Sequence, residues 1–312
     1  MKEKVCPAMH RVTLRQLRAL AAVVEAGTVS RAAEALHVTA PAVTQQLQKL
    51  EACAGMPLFE RTPDGIRPTE AGDEMLSTGA RMENALRQCA ESLDLLGGAE
   101  HGRVAVGLVS TAKYFAPRVL AEFMKTHPRV EVRVEIGNRA AIMAALRDFD
   151  LDFAVTGRPP KEFEINSVVI GDHPHIVIAP PDHRLAKRKR LPFSALASEK
   201  FLLREQGSGT RLLMRRLFAD AGLNPDLGLE LGGNETIKQA VMAGLGVALI
   251  SAHAVTAELA DGRLVALKAT GLPVVRQWFV VRPESKRLLP AARDLWDFFA
   301  VSGARFLPKV PS

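Results

Sequence analysis

Residues Ser30–Glu51, SRAAEALHVTAPAVTQQLQKLE, have the pattern of two helices joined by a tight turn. Thr39 suits an N-cap, and Pro41 falls in the first turn, where its missing N–H leaves no hydrogen bond unmade. Ser30 is placed to cap a preceding short helix that is rich in alanine. The buried face of the second helix is predicted to consist of Val43, Leu47 and Leu50. The segment therefore predicts a helix-turn-helix.

Another helix is predicted just upstream, beginning after Thr13 and ending at Gly27, where glycine suits the left-handed C-cap. Its buried stripe is predicted from spacings of three and four, and consists of Leu14, Leu17, Leu20, Ala21 and Val24. Residues 1–12 form an N-terminal extension to which the sequence assigns no role.

The exposed side of the helix that begins at Thr39 is rich in amides and hydroxyls. Glutamine can make paired hydrogen bonds to adenine, and a helix N-terminus attracts phosphate. Taken alone, such a face is as well explained by solvation. With the helix-turn-helix around it, it predicts DNA contacts from Ser30, Arg31, Thr39, Pro41, Ala42, Thr44, Gln45, Gln46, Gln48 and Lys49.

A hairpin is predicted directly after this helix, because LFER and IR flank the turn TPDG and Asp-Gly is a strong hairpin signal. A hairpin in this position makes the domain a winged variant. Arginines in an exposed hairpin are often only solvated. Because of where the wing lies, we expect Arg61 and Arg67 to contact phosphates or a flanking minor groove.

A long helix follows, capped by Thr69 and running without proline to about Leu96, with Gly97-Gly98 at its end. Apolar residues recur along it in a heptad register that is interrupted at Gly79. A helical dimer explains this seam economically, and burial against the chain's own domain is the alternative. The predicted dimerisation residues are Met75, Met82, Leu86, Cys89, Leu93 and Leu96.

From Arg103 onward, short apolar strands alternate with helices, which is typical of parallel sheets covered by helices. The fold class is therefore multidomain, α followed by α/β. The predicted boundaries are an extension over 1–12, a winged helix-turn-helix domain over 13–68, a linker helix over 69–97, and an α/β region over 98–312.

Polar side chains recur in the strand-to-helix loops of the α/β region. Such loops direct backbone N–H groups and short donors at one anion, and Gly207–Arg211 (GSGTR) has this character most plainly. A tight loop that caps a helix without any ligand is the alternative. The predicted effector-binding residues are Ser110, Thr111, Asn138, Arg139, Arg204, Ser208, Thr210, Arg211, Asn234 and Thr236.

Composition and motifs exclude several other functions. The net charge of +7 permits a polyanionic partner without proving one, and no apolar run is long enough for a membrane span. The three cysteines form no C-x-x-C pair, and the N-terminus has no apolar h-region, so we expect a cytoplasmic protein. His173, His175 and His183 lack carboxylate or thiolate partners at ligand spacing, so no metal is expected. We also expect no catalytic site, because neither Ser110 nor Ser208 has an evident neighbouring base.

Residues Thr13–Gly72, which include SRAAEALHVTAPAVTQQLQKLE and LFERTPDGIRPTEAG, resemble the DNA-binding domain of the LysR-type transcriptional regulators. The resemblance extends over almost the whole chain. The downstream segments are similar to one branch of that family, the regulators of Calvin-cycle carbon-fixation (RuBisCO) operons. Those segments are VSTAKYFAP, GNR, GRPP, HPH, REQGSGTR and GNETIKQAVMAGLGVALI.

The resemblance implies a two-lobed effector domain like the periplasmic binding proteins, with lobe I over 98–160 and 268–312 and lobe II over 161–267. The crossings between lobes are then expected near 158–161 and 266–271. It also implies double-stranded promoter DNA, RNA polymerase and a small effector as partners, and assembly as a homodimer or homotetramer. The effector would be a phosphorylated metabolite or NADPH, with no resident cofactor.

Three alternatives stay open. The chain could be a LysR-type regulator of another metabolic operon. An intracellular solute-binding module could use residues 100–312 alone, but it would leave the first 97 residues without a role. An α/β enzyme with an appended helical domain would need an acid, a base or a nucleophile in the cleft.

Overall fold

The computed structural model describes residues 8–63, 65–96 and 102–310, which form two units, 1–94 and 95–312. The helices are α1 (Leu14–Ala26), α2 (Val29–Ala35), α3 (Ala40–Ala54), α4 (Glu70–Leu96), α5 (Ala116–Thr126), α6 (Arg139–Arg147), α7 (Gly209–Asp220), α8 (Asn234–Met242), α9 (Thr256–Ala260) and α10 (Pro290–Ser302). The strands are β1 (Phe59–Thr62), β2 (Gly65–Pro68), β3 (Arg103–Val109), β4 (Glu131–Gly137), β5 (Phe153–Thr156), β6 (Ile165–Ala179), β7 (Lys200–Arg204), β8 (Asp226–Leu231), β9 (Ala248–Ser251), β10 (Val265–Ala266) and β11 (Val274–Pro283). The predicted Gly97-Gly98 helix end and residues 1–7 lie outside the described residues.

Helix α1 begins and ends where the sequence predicts. Thr13 and Gln16 form a capping box, and Gly27 has a φ of +71° at the C-cap, a conformation that favours glycine. The predicted buried stripe is partly wrong, because Ala21 is exposed while Leu14 and Val24 are half-buried. The fully buried positions are Gln16, Leu17, Ala19, Leu20 and Val23. The prediction is therefore correct for Leu17 and Leu20, and the rest of the buried face lies on adjacent positions of the helix.

The N-cap of α2 corrects the prediction for Ser30. The hydroxyl of Thr28 accepts a hydrogen bond from the Arg31 backbone N–H, and Ser30 is an exposed residue within the helix. Helix α3 agrees with the prediction, since the Thr39 hydroxyl accepts from the Ala42 N–H and Val43, Leu47 and Leu50 are buried. These two helices and α1 pack around one core, in which the alanines of α2 permit close approach.

The predicted wing is present as the antiparallel pair of β1 and β2. Helix α4 begins immediately after it, because the Thr69 hydroxyl accepts a hydrogen bond from the Gly72 N–H and caps the helix. Glu70 and Asp73 in its first turn are favourable at the positive end of the helix dipole.

The apolar seam of α4 divides into two parts. Met75 is 6% exposed and belongs to the core of the N-terminal unit, and Gly79 faces Leu17 of α1, so Met75 is not available as a dimerisation residue. Met82, Leu86, Cys89 and Leu93 are exposed. The side chain of Leu96 is outside those described. Burial against the chain's own domain therefore explains the beginning of the seam, and only the later residues remain for a partner.

The C-terminal unit has a first lobe in which β3 lies parallel to both β4 and β5. Helices α5 and α10 pack with these strands around Trp278, Phe123, Phe153 and Phe299, and α6 covers a second cluster around Ile142. The second lobe contains the parallel pair β7 and β8, with α7 and α8 packed on the strands β7 and β9. The expected α/β architecture in two lobes is confirmed.

The lobes are connected by the long antiparallel pair of β6 and β11. Residues of β6 from 165 to 175 pair with β11, and residues from 175 to 179 pair with β9 and β10 of the second lobe. Strand β11 in turn pairs with β5 of the first lobe. The crossings were expected near 158–161 and 266–271, but they lie further along the chain, in β6 and β11. The reason is that two long strands make the connection.

Candidate DNA-binding surface and effector cavity

The outer face of α3 presents polar side chains on a framework fixed from beneath by buried apolar residues. Thr44, Gln45, Gln48 and Lys49 are exposed, and Ala42 and Gln46 are half-exposed. Pro41 lies in the first turn, next to the N-cap residue Thr39. One regular helix sets the backbone positions from which these side chains extend, and an α-helix fits the width of a DNA major groove.

The remaining DNA-binding candidates flank this helix. Ser30 and Arg31 are exposed at the start of α2. Arg61 and Arg67 are exposed on the two strands of the wing, and Arg67 is opposite Glu60 in the register. The structure therefore presents all the predicted DNA-binding side chains on the surface of the N-terminal unit, and only Ala42 and Gln46 are partly covered.

A cavity of about 630 Å³ opens in the C-terminal unit. It is bordered by the loops after β3, β4 and β5, by the start of α7, and by the crossing strands β6 and β11. Seven of the ten predicted effector-binding residues line it, namely Ser110, Thr111, Asn138, Arg139, Arg204, Ser208 and Thr210. The ends of strands from both lobes thus converge on one site, as expected for ligand binding in α/β folds.

Arg204 joins the two lobes at this cavity. Its guanidinium makes two hydrogen bonds of 2.8 Å to Glu205, one of 3.3 Å to the Ser110 hydroxyl, and one to the Asn234 side chain. The Asn234 amide in turn donates to Thr111 at 3.4 Å. Burial raises the pKa of Glu205, but the adjacent Arg204 outweighs it and the net pKa is lowered, so the pair stays ionised. Arg204 is 4% exposed, so this network is enclosed by protein.

A second connection between the lobes lies at the loop before α7. The Asn138 side-chain oxygen accepts from the Ala141 N–H and caps α6, and the side-chain nitrogen donates to the Gln206 carbonyl at 3.4 Å. The Ala140 N–H donates to the Gly207 carbonyl at 3.2 Å. Gly207 has a φ of +81°, and a Cβ at this position would lie 2.9 Å from the Cβ of Ala140. The glycine is therefore needed both for the turn and for this close approach.

Three predicted effector-binding residues do not line the cavity. Arg211 donates to the Arg204 carbonyl at 2.9 Å and forms an ion pair with Glu230 at 2.5 Å, so it supports the backbone of Arg204 and does not face the cavity. Asn234 lies behind Arg204, and Thr236 is exposed on α8. The sequence placed these residues in suitable loops, but it did not indicate which side chains point towards the cavity.

Several lining residues were missed by sequence reasoning. They are contributed by the β5 loop, by α7 and by the two crossing strands, and include Arg158, Lys161, Glu162, Arg216, Asp220, Arg276, His173 and His175. The HPH motif is part of the family resemblance, and the sequence suggests its histidines only as weak metal ligands, not as cavity residues. The GRPP motif after β5 could have indicated Arg158, whereas Arg276 lies in a strand where no loop pattern indicates a site.

The cavity wall has an excess of positive charge. Burial, followed by the charges of Arg158 and Arg139, lowers the pKa of Arg276, and burial likewise lowers the pKa of Arg139. The nearest carboxylate to Arg139 is that of Glu162, 4.0 Å away and exposed. The Arg139 Nε is buried and has no hydrogen-bond partner among the described residues. Guanidinium groups held together in this way favour a phosphate or carboxylate ligand, which would relieve their repulsion.

Histidines form the other part of the wall. His173 stacks on Trp278 with ring centroids 3.8 Å apart, and His175 lies 4.2 Å from His173. Burial lowers the pKa of His173 well below its ordinary value, and it lowers that of His175 to about 3 and that of His253 to about 4. All three rings are therefore neutral near pH 7. His183 is elsewhere and lies 3.2 Å from Glu199. Across the described ranges, no group of three or more His, Cys, Asp or Glu residues is arranged to hold a metal.

None of the helices in the described part of the chain is long and apolar enough to cross a membrane.

A winged helix-turn-helix combined with a two-lobed domain that encloses an anion-suited cavity defines the class of ligand-responsive transcriptional regulators. Comparison with known families agrees with this. Residues 14–73 match the bacterial regulatory helix-turn-helix protein, lysR family, and residues 97–302 match the LysR substrate binding domain. The chain belongs to the LysR family, whose members are DNA-binding transcriptional regulators and not enzymes.

Individual relatives are similar over nearly the full length. The HTH-type transcriptional regulator CbbR of Xanthobacter flavus is 52% identical over 96% of this chain and 90% of the relative. The RuBisCO operon transcriptional regulator of Allochromatium vinosum is 39% identical over 95% of this chain and 98% of the relative. Among solved structures, the CcmR regulatory domain of Synechocystis PCC6803 in complex with 2-PG is 36% identical. It has a TM-score of 0.62 and covers 64% of this chain and 96% of that one.

Proposed function

We propose that this LysR-family regulator controls carbon-fixation operons of the RuBisCO and Calvin-cycle type in response to a small phosphorylated anion. The observation that supports this most strongly is the 52% identity with Xanthobacter CbbR over 96% of the chain. The name of the Allochromatium relative, a RuBisCO operon transcriptional regulator, points to the same class of target genes. We further propose that the protein acts in the cytoplasm, without membrane attachment.

On double-stranded promoter DNA, the exposed face of α3 enters the major groove. Gln45 and Gln48 are long enough to contact base edges, while Lys49 and the α2 residues Ser30 and Arg31 contact phosphates. The wing arginines Arg61 and Arg67 contact the flanking backbone or minor groove. The sign of the net charge, +7, favours these contacts.

The effector occupies the cavity of the C-terminal unit. Arg139, Arg158 and Arg276 hold its anionic group, and the helix α7 N-terminus with Ser208 and Thr210 supplies further donors. The CcmR regulatory domain, 36% identical, has been solved with 2-PG, which makes a small phosphorylated acid the first candidate. NADPH is the second candidate.

Assembly proceeds through the exposed part of the α4 seam. Met82, Leu86, Cys89 and Leu93 would pair with the same residues of a second copy to form a homodimer, and two dimers would form a homotetramer. Two DNA-binding domains held in this way would contact half-sites spaced by whole helical turns. Changes in the effector domain would alter that spacing and thereby the access of RNA polymerase.

The function is tested by fluorescence anisotropy with labelled duplexes. We expect the protein to bind a carbon-fixation promoter fragment much more tightly than an unrelated fragment of equal length and composition. Addition of 2-PG or NADPH should change the affinity or the mobility of the complex. Equal affinity for both fragments, at low and at moderate salt, would contradict the proposed target.

The assembly is tested by sedimentation. Leu86→Glu should reduce the oligomer to a smaller species, because a buried glutamate in a helical seam is costly. Met56→Glu introduces the same charge at an exposed apolar residue of the N-terminal unit, outside the seam, and should leave the oligomer unchanged. If the two variants sediment alike, the α4 seam is not the dimer interface.

A further inference from the structure

His173 occupies an unusual position on the connection between the lobes. It lies on β6 directly opposite Arg276 of β11, and both residues line the cavity. The ring is 4% exposed and is fixed by stacking on Trp278, with an angle of 15° between the planes. A group at this position contacts both the ligand space and the strands through which the lobes are joined.

Both ring nitrogens of His173 are buried without a hydrogen-bond partner among the described residues. Its two neighbours differ, because His175 Nδ1 lies 3.1 Å from the His173 carbonyl and His253 Nδ1 accepts a hydrogen bond from the Trp278 indole at 3.2 Å. Buried polar atoms are nearly always paired, and an unpaired one is costly to keep. His173 is therefore the ring of this cluster that lacks partners, and it is also one that borders the cavity.

Gly157 preserves the space around this ring. A Cβ at residue 157 would lie 2.7 Å from His173 Nδ1, closer than packing allows, and 3.0 Å from Cε1, a tight contact. Gly157 itself lines the cavity, in the loop after β5. Trp278 and Gly157 thus hold the ring in place, and neither residue supplies a hydrogen bond to its nitrogens.

Building on the effector function proposed above, we propose that His173 is a specificity-determining residue that donates a hydrogen bond to an oxygen of the anionic effector held by Arg276 and Arg139. A neutral imidazole has one donor and one acceptor nitrogen, so it adds no charge. It distinguishes ligands by the position of a second polar group, such as the carboxylate of a phosphorylated acid. A bare phosphate has no second group to offer.

The test is calorimetric titration of the full chain with 2-PG and with inorganic phosphate. His173→Phe keeps a flat ring for stacking on Trp278 and removes both nitrogens, and it should weaken 2-PG binding about tenfold or more. Phosphate binding should change much less. His173→Gln restores a donor and an acceptor and should return 2-PG affinity to within about threefold of wild type.

His127→Phe is the matched control, because His127 is also stacked on an aromatic ring, that of Phe123, but lies outside the cavity lining. It should bind both ligands like wild type. Equal losses for 2-PG and phosphate in His173→Phe would contradict a role in specificity. Unchanged 2-PG affinity in that variant would overturn the inference altogether.

A measurement on the wild-type protein covers the case in which His173→Phe does not fold. Addition of 2-PG should shift the ¹⁵N resonances of the His173 ring as one nitrogen becomes hydrogen-bonded, and unshifted resonances in the saturated protein would overturn the inference. If wild type binds neither ligand, the proposed effector class fails and this inference fails with it. If wild type binds 2-PG and the His173 variants bind it equally well, only the inference fails.

Discussion

The polar side chains of α3 and those of the effector cavity differ in their exposure to solvent. On α3, Thr44, Gln45, Gln48 and Lys49 are exposed, and a single helix positions them. In the cavity, Arg204 is enclosed and bonded to residues from several loops of both lobes. A surface of the first kind can change its contacts without altering the fold. The cavity residues also hold the fold together, so a substitution there changes ligand binding and stability at the same time.

Removing the side chain of Arg204 is the strongest test of this contrast. Arg204→Met leaves Glu205, Asn234 and Ser110 without their shared donor, and breaking this partly buried ion pair together with its hydrogen bonds should lower the free energy of unfolding by about 3 kcal/mol. Denaturant unfolding followed by tryptophan fluorescence measures this, since both tryptophans, Trp278 and Trp296, lie in the C-terminal unit.

Arg215→Met is the control for Arg204→Met. Arg215 is an exposed residue of α7, so its replacement should change the stability by less than about 0.5 kcal/mol. If the two variants lose the same stability, the Arg204 network does not hold the lobes together.

Two adjacent faces of α3 provide the next test. Leu47 is 3% exposed, so Leu47→Ala should cost about 3 kcal/mol of stability, measured by hydrogen exchange of the α3 amides. Gln45→Ala should change the stability by less than about 0.5 kcal/mol. It should instead reduce discrimination between promoter and unrelated DNA by about tenfold or more, by anisotropy. A destabilised Gln45→Ala protein would show that this face is part of the core.

The same contrast explains how much the sequence could predict. The cap at Thr39 and the buried face of Val43, Leu47 and Leu50 depend on neighbours within one or two turns, and all were predicted correctly. Asn138 lines the cavity as predicted, because its position between a strand and a helix is a local feature, but the sequence analysis did not predict that its side chain also caps α6. Local periodicity thus determines the DNA-binding domain and the element types of the effector domain.

Apart from the local errors at the α2 cap and the α1 stripe, the errors arose where the partner is far away in the sequence. His173 and Arg276 become neighbours only because β6 and β11 pair across a separation of about one hundred residues, and neither strand has a loop pattern that marks a site. The heptad spacing of α4 predicted an apolar stripe but not its partner, and α1 covers the beginning of that stripe at Met75. Sequence pattern indicates on which face of a helix or strand a side chain lies, whereas the tertiary fold determines which residues it contacts.

Acid should destabilise the cavity side of the molecule through its buried histidines. Burial lowers the pKa of His253 to about 4, so below pH 6.5 the unfolded chain binds a proton that the folded chain excludes. Such a ring therefore has no effect on the pH dependence of stability above pH 6.5. As the pH falls from 6.5 towards 4, each such ring lowers the free energy of unfolding by about 1.4 kcal/mol per pH unit.

His253→Gln should reduce that slope. The glutamine oxygen can still accept the hydrogen bond from the Trp278 indole, but the side chain does not titrate. Between pH 6.5 and 5 the variant should lose about 1 to 2 kcal/mol less than wild type in tryptophan-monitored unfolding. His173 and His175 titrate in both proteins and cancel in the difference. Identical slopes would show that His253 is already protonated, or solvated, in the folded state.

The smallest effect tests a purely local feature of the DNA-binding domain, the start of α2. The sequence pattern allows Ser30 to be the cap, but in the structure the Thr28 hydroxyl accepts from the Arg31 N–H and Ser30 is an exposed helical residue. Thr28→Ala should therefore cost about 1 kcal/mol, whereas Ser30→Ala should be neutral or slightly favourable because alanine is the better helix former. Hydrogen exchange of the α2 and α3 amides measures both. The opposite ranking would return the cap to Ser30 and move the beginning of α2 by two residues, which would also change how Arg31 is presented to DNA.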